Sequence, residues 1–340
     1  MSIEPPFLLF LGDASDPLSS KTAFGLYHWR PNDCLGQYRL PGCKITLGLP
    51  DRTPLEAKLL GASTLVLGLA NSGGVLSDKW VPAIVEAIEA GLDIASGLHQ
   101  ELNSVDTIRE AAAKYNRILH DVRRPSRFFS TGKGAWREGK RLLTVGTDCS
   151  IGKNYTALAI EREMKGRGFD VDYRATGQTG ILISGNGVPL DAVPVDFVSG
   201  AAEWLSPEAD DNHWDVIEGQ ASLFHPSYAG LTLGLIHGSQ PDAFVVCHEP
   251  GRKTMRGVDY PLPSLENVIS EVTKVGQLTN PRTTCIGLSI NTSKMSDPRA
   301  RSYLDRLARE FRIPAVDPMR FGCEEIVDQI ESCFPKRKAP

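Results

Sequence analysis

Apolar residues fall into short runs that alternate with stretches of helical spacing. Residues 7–11 form an apolar run ending in Gly12-Asp13, the pattern of a buried strand that turns at the carboxyl edge of a sheet. Residues 13–53 are rich in Gly, Pro and Asp and predict strands only at 37–40 and 44–47. From there the rhythm is regular. Residues 54–60 predict a short helix closed by Gly61, and 63–69 an apolar strand running into Asn71-Ser-Gly-Gly74. Over 80–90, Val81, Ile84, Val85 and Ile88 share one helical face, and Gly91 ends it. A strand at 93–95, a turn at Gly97-Leu-His99, a helix over 104–115 and a strand at 118–122 continue the alternation expected of a parallel sheet covered by helices.

The pattern changes at 123–136, where basic residues, Pro125, Gly132 and Gly134 cluster. A boundary there divides the chain into residues 1–135, a Rossmann-like N-terminal domain, and 136–340, a P-loop-containing C-terminal domain with a doubly wound sheet. In the second part strands are expected at 142–145, 170–173, 215–217, 243–247, 284–290 and 315–316, with helices over 153–165, 264–275, 297–311 and 323–332. The fold class is α/β throughout.

Composition narrows the function classes. The 340 residues carry a net charge of −4, with 41% hydrophobic and 23% charged residues, so no basic excess is present to neutralise a nucleic-acid backbone. The Lys336-Arg337-Lys338 tail reads as a solvated terminus. Seven scattered cysteines lack the spacing of a zinc finger or a redox pair, and reduced thiols are expected. With no signal-like start and no membrane-length apolar run, the expectation is a soluble, cytoplasmic protein that binds neither nucleic acid nor membrane and assembles as a homo-oligomer.

One stretch organises the chemistry: Arg141-Leu-Leu-Thr-Val-Gly-Thr-Asp-Cys-Ser-Ile-Gly-Lys-Asn154. An apolar strand stops at Gly146, and Gly152-Lys153 opens a helix. Glycines let backbone approach phosphate, the first helical amides point at the anion, and Lys153 adds charge. The spacing from Gly146 to Gly152-Lys153 resembles the loop of dethiobiotin synthetases. Asn154 stands where a phosphate loop usually carries the Ser or Thr that ligates Mg²⁺, which argues against phosphoryl transfer and for holding a pyrophosphate. No metal site is expected.

Four further stretches end strands in polar groups. Trp214-Asp-Val-Ile-Glu218-Gly-Gln220-Ala-Ser222 delivers a carboxylate that could orient a metal, act as a general base, or cap the next turn; His225 follows it. Arg174-Ala-Thr-Gly-Gln178-Thr179-Gly180 is a polar turn suited to an anion or a carbonyl oxygen. Arg252, after Cys247-His248-Glu249, could pair with a carboxylate or a phosphate, and Asn291 is a candidate for reading a base edge. The GxGxxG fingerprint is absent, so the Rossmann-like outline does not imply NAD.

Together, the segments GTDCSIGKN, ATGQTGI, VDFVSGAAEWL and VIEGQASLFHPSYAGLTLGLIHGSQPDAFVVCHEPGR, with KTAFGLYHWR and GLDIASGLHQEL in the first domain, resemble the long-uncharacterised P-loop proteins that include the DgcN-type D-glutamate N-acetyltransferases. The resemblance spans nearly the whole chain, and the EGQ…HP segment is its most specific part. It implies transfer of acetyl from acetyl-CoA, as cosubstrate, to the amine of D-glutamate or a related D-amino acid, with Mg²⁺ not required. On that reading Gly146, Thr147, Asp148, Cys149, Ser150, Ile151, Gly152, Lys153 and Asn154 hold the coenzyme phosphates, with Asn291 near the adenine. Glu218 is the expected base and His225 the second choice. Gln220 belongs to the catalytic set, with amides near Gly177–Gly180 or Gly219-Gln220 stabilising the oxyanion. Arg174, Gln178, Thr179, Ser222 and Arg252 are the expected substrate contacts. Direct attack of the amine on the thioester is the simplest route, and Cys149 as an acyl carrier the less supported one. The rival reading is an ATP-dependent ligase or carboxylase of the dethiobiotin-synthetase kind; a nucleotide-sensing module is the non-enzymatic one.

Overall fold

The computed structural model describes residues 3–70 and 72–335, so Asn71 and the Lys336-Arg337-Lys338 tail lie outside the described residues. The chain forms two compact units. One comprises Met1–Ser126 with Gly177–Ala192, the other Arg127–Thr176 with Val193–Pro340. The division after Ser126 lies nine residues ahead of the 135/136 junction read from composition, and the short 177–192 segment, in the middle of the second part of the sequence, belongs to the first unit.

The first unit is built on five parallel strands, β1 (Phe7–Gly12), β2 (Cys34–Arg39), β3 (Thr64–Leu67), β4 (Asp93–Ser96) and β5 (Leu119–Asp121), in the order β2-β1-β3-β4-β5. β1 is central and buried along its whole length, which is why its sequence is continuously apolar rather than alternating. Helices Val81–Glu89 and Asp106–Tyr115 follow the predicted spacing. Helix Pro54–Leu59 starts with Pro at its first position and a reciprocal capping box between Thr53 and Glu56.

Two local expectations are corrected. Residues 44–47 are not a strand. Ile45 and Leu47 are buried, but the side chain of Gln37 holds the segment: its Oε1 accepts from the Leu47 amide at 2.7 Å and its Nε2 donates to Thr46 Oγ1 at 3.0 Å. Alternating burial arises here from a side-chain clamp instead of a ladder. Residues 21–29, where only loop was expected, form a helix, Lys21–Trp29. It packs so closely on the end of β3 that a Cβ at Gly68 would lie 2.4 Å from Ala23 Cβ.

The second unit carries six parallel strands, β6 (Lys140–Gly146), β7 (Val171–Arg174), β8 (Trp214–Ile217), β9 (Ala243–His248), β10 (Thr284–Ile290) and β11 (Ala315–Val316), ordered β11-β10-β9-β6-β8-β7. From β6 the chain builds β7 and β8 on one side, then crosses to β9, β10 and β11 on the other. β6 is therefore the switch point of a doubly wound sheet, and the crevice beyond its carboxyl end is where such sheets bind ligands. Helices Lys153–Gly166, Leu265–Gln277, Asp297–Phe311 and Glu324–Cys333 lie where the apolar periodicity places them. Helix Val198–Leu205 follows the helix start expected at Asp196, whereas helix Ala229–Ser239 carries three glycines that obscure its period in the sequence. Their glycines serve contact: a Cβ at Gly238 would lie 2.1 Å from the Ser199 carbonyl oxygen. No helix among the described residues is long and apolar enough to cross a membrane.

Candidate active site

The loop after β6 is pinned from below. Gly146 is in register with Cys247 of β9, and a Cβ there would meet Ile151 Cδ1 at 2.5 Å, so glycine lets the buried Ile151 side chain fold under the loop. Thr147 is fully buried; its amide donates to the Cys247 carbonyl at 3.1 Å and its Oγ1 lies 3.1 Å from His248 Nδ1. Burial pushes the His248 pKa down, favouring the neutral ring. Ser150 adopts a left-handed backbone (φ 52°), unusual for a residue with a side chain, and Gly152 (φ 110°) opens helix Lys153–Gly166. Strain of this kind is common where backbone is held for a ligand. Lys153 is buried and its Nζ donates to the Asp148 carbonyl oxygen at 2.7 Å. Burial lowers its pKa, while Cys149, Cys247, Asp148 and Glu218 pull it up.

Arg252 clasps this loop from the segment beyond β9. Its Nη1 donates to Asp148 Oδ2 at 2.6 Å and to the Cys149 carbonyl at 2.9 Å, and its Nη2 reaches the Ser150 carbonyl at 3.3 Å and pairs with Glu249. The arginine expected to meet substrate thus holds the loop itself. Glu249 also pairs with Lys294 at 2.7 Å; against the effect of its burial, Lys294 and Arg252 keep its carboxyl below the ordinary range. Arg256 adds a second basic contact, its amide donating to Asp148 Oδ2 at 2.9 Å and its exposed guanidinium to Ser150 Oγ at 2.5 Å. Asp148 is 0% exposed, and its Oδ1 has no hydrogen-bond partner among the described residues.

β8 delivers Glu218 beside the loop. Its Oε1 accepts from Asn154 Nδ2 at 2.9 Å; its Oε2 accepts from the Thr176 amide at 2.9 Å and from Tyr173 Oη at 3.1 Å. Asn154 Nδ2 also donates to Tyr173 Oη at 2.8 Å, which leaves the phenolic proton for Glu218. Burial, with the neighbouring Glu218, pushes the Tyr173 pKa well above its usual value, so the phenol stays protonated. Thr176 Oγ1 donates to the Glu218 carbonyl at 2.7 Å and accepts from Gln220 Nε2 at 3.0 Å. Gly219 is required by contact: a Cβ would stand 1.6 Å from the Thr144 carbonyl oxygen. Its amide donates to Thr144 Oγ1 at 2.9 Å, which removes it as an oxyanion donor.

The remaining candidates are engaged in contacts of their own. Arg174 turns away from the loop to pair with Asp215 at 2.6 Å and Asp172 at 3.1 Å. Ser222 Oγ accepts from the Phe224 amide at 3.3 Å and serves its own turn. Asn291 Oδ1 likewise accepts from the Ser293 amide at 3.1 Å. Gln178 and Thr179 belong to the first unit, where Gln178 Oε1 accepts from Arg123 Nη2 at 2.8 Å and Thr179 Oγ1 lies 3.3 Å from Thr22 Oγ1. His225 is buried, with Nε2 3.1 Å from the Arg256 carbonyl and Nδ1 accepting from the Ser227 amide at 3.2 Å, and its ring stacks on Tyr228. The carbonyl fixes the proton on Nε2.

Tyr173, Thr176 and Arg256 were not singled out by sequence. Tyr173 and Thr176 flank the Arg174 that drew attention by its charge, and Arg256 belongs to a basic run, Arg252-Lys253-Thr-Met-Arg256, whose second arginine was the available signal. Among the described residues two groups bring potential metal ligands within 4.8 Å of one another: Asp148 with Cys149 and His225, and Asp172 with His213 and Asp215. The second already holds Arg174 as its cation.

Residues 129–327 match a family described as a domain of unknown function (DUF1611_C), P-loop domain, and residues 38–125 its partner DUF1611_N, a Rossmann-like domain. The chain belongs to the DUF1611 family. Two curated relatives carry the name D-glutamate N-acetyltransferase, as the resemblance read from sequence implied. The one from Pseudoalteromonas sp is 53% identical over 328 residues, 96% of this chain and 99% of the relative. The one from Tritonibacter scottomollicae is 50% identical over 329 residues, again 96% and 99%. A crystal structure of a DUF1611 family protein from Anabaena variabilis superposes with a TM-score of 0.86 at 28% identity, covering 97% of this chain and all of that one.

Proposed function

We propose that this DUF1611 protein is a cytoplasmic acyltransferase that moves the acetyl group of acetyl-CoA to the amine of D-glutamate or a closely related D-amino acid. Two relatives at half identity or better over nearly the full length carry that name. The structural observation that carries the reading is the bond between Asn154 and Glu218. In a phosphate loop that cleaves nucleotides, the residue after the lysine gives a hydroxyl to Mg²⁺ and an acid on the neighbouring strand orients metal or water. Here that position is an amide already tied to the acid, an arrangement suited to gripping phosphate without transferring it.

In this reading the loop around Lys153, with Arg256 at its exposed side, takes the coenzyme's pyrophosphate and requires no Mg²⁺. The Glu218 carboxylate accepts from Asn154 Nδ2, the Thr176 amide and Tyr173 Oη, bonds that favour its ionised form, and it accepts a proton from the attacking ammonium. Tyr173, Asn154 and Thr176 position it. The deciding experiment is a thiol-release assay with acetyl-CoA against paired D- and L-amino acids, with and without ATP. Release with D-glutamate that is indifferent to ATP and Mg²⁺ is expected; ADP formation coupled to substrate would overturn the proposal.

A further inference from the structure

The loop that grips phosphate also holds a nucleophile. A carboxylate oxygen of Asp148, Sγ of Cys149 and a ring nitrogen of His225 lie within 4.8 Å of one another. Two come from the loop after β6 and the third from the turn after β8, so the fold brings together the two most distinctive segments of the sequence. Asp148 is fully buried, with Oδ2 held by Arg252 and the Arg256 amide and Oδ1 without a hydrogen-bond partner among the described residues. A buried, half-satisfied carboxylate is costly unless something at the site uses it.

Four of the chain's other thiols are held protonated by burial. Cys34, Cys285 and Cys323 are pushed up to about 12, chiefly by burial, and the buried Cys247 is raised for the same reason. Cys149 is half-buried, sits one turn before helix Lys153–Gly166, and heads the charges that favour the Lys153 ammonium against its burial. Arg252 lies against its carbonyl. An electropositive, partly accessible loop at a helix N-terminus is where thiolates form and react.

We propose that Cys149 receives the acetyl group as a thioester, with the unpaired Oδ1 of Asp148 handling its proton beside the fixed His225 ring, so that transfer proceeds in two halves. This rests on the acetyltransferase reading. In the first half the Cys149 sulfur bonds to the acetyl carbon of acetyl-CoA and the bond to the coenzyme sulfur breaks. The thiol proton passes through Asp148 Oδ1 to the departing thiolate, giving acetyl-Cys149 and free coenzyme A. In the second, the acceptor ammonium gives one proton to Glu218, its amine attacks the Cys149 thioester, and the cysteine thiolate leaves and takes the second proton that the nitrogen loses as the amide forms. No oxidant, reductant or nucleotide is consumed.

The test is acceptor-free incubation of the full-length protein with acetyl-CoA, followed by thiol titration and intact-mass and peptide mass spectrometry. The expected result is a burst of one thiol per chain, one acetyl group on the peptide containing Cys149, its removal by hydroxylamine, and its conversion to N-acetyl product on adding D-glutamate. Cys149→Ala should lose turnover about a thousandfold or more, with a far smaller change in acetyl-CoA affinity by calorimetry. Turnover of Cys149→Ala within about tenfold of wild type would overturn the thioester while leaving acetyl transfer intact. Turnover by the wild type that a chelator abolishes, with no adduct, would overturn it in favour of a metal on the same three ligands. A wild type with neither burst nor D-glutamate turnover would sink both proposals.

Discussion

Asn154 Nδ2 lies 2.9 Å from Glu218 Oε1 and 2.8 Å from Tyr173 Oη, so one amide bridges the phosphate loop to the carboxylate on the neighbouring strand. The Thr176 amide and the Tyr173 hydroxyl both donate to Oε2 of Glu218. Glu218→Gln would place an amide NH₂ against groups that only donate. Turnover should fall about a hundredfold or more, with the KM for acetyl-CoA within about threefold of wild type, because the loop keeps its own contacts. A donor left facing a donor costs about 1–3 kcal/mol, so a modest drop in Tm should accompany the kinetic loss. Turnover near wild type would remove Glu218 as the base.

Lys153 is expected to act in binding. Its ammonium is buried, donates to the Asp148 carbonyl and sits at the first position of helix Lys153–Gly166, where coenzyme phosphates would meet the first amides. Lys153→Met preserves the stem and removes the charge. A charge-assisted hydrogen bond is worth about 1.5–3 kcal/mol, so the KM for acetyl-CoA should rise about tenfold to a hundredfold while kcat changes little. Steady-state kinetics with saturating D-glutamate make the measurement; an unchanged KM would remove Lys153 from the phosphate site.

The strand, loop and helix from Lys140 to Gly166 were legible because an apolar run, two glycines and a helical period are local signals. So was Glu218, since a four-residue buried strand delivers it next to a glycine that contact requires. Partners across the sheet were not legible. Thr176 and Tyr173 reach Glu218 over 42 and 45 residues, a pairing set by β7 lying beside β8. The charge of Arg174 points to an anionic ligand, yet side chains on a strand alternate between faces, and its partner is Asp215. Gln178 and Thr179 read as part of the second domain because they follow its strand β7; the chain instead leaves that unit at Gly177 and returns at Val193.

His213 supplies a pH-dependent contribution to stability. Its Nε2 lies 3.3 Å from Asp215 Oδ1 and its Nδ1 3.0 Å from Asp170 Oδ2. The bond to Asp215, with that to Asp170, raises its pKa in spite of burial, while Arg174 and Asp172 complete the charges around it. The unfolded chain titrates this ring near about 6.5. The stabilisation is therefore fully present below that pH and lost as pH rises through the higher folded value. Chemical denaturation of wild type and His213→Asn across that window should show a gap that narrows with increasing pH. A gap independent of pH would mean that the ring's charge contributes nothing.

Glycines in helix Ala229–Ser239 separate contact from conformational cost within one element. A Cβ at Gly238 would stand 2.1 Å from the Ser199 carbonyl oxygen and 2.8 Å from Ala202 Cβ, so Gly238→Ala must wedge this helix away from helix Val198–Leu205. At Gly230 the same atom meets nothing within 4 Å. Overpacking costs about 1–3 kcal/mol, more where the obstacle is backbone, whereas glycine to alanine in an open helical position gains up to about 1 kcal/mol. Gly238→Ala should thus lower Tm by several degrees and Gly230→Ala hold or raise it, as read by differential scanning calorimetry. Helix Ala229–Ser239 packs under the turn that carries Gln220 and His225, with Thr232 Oγ1 donating to the Gln220 carbonyl at 2.8 Å. Gly238→Ala should therefore also slow D-glutamate turnover without altering a residue of the site. Equal Tm values for the two variants would show that the close approach of the helices carries no stabilisation.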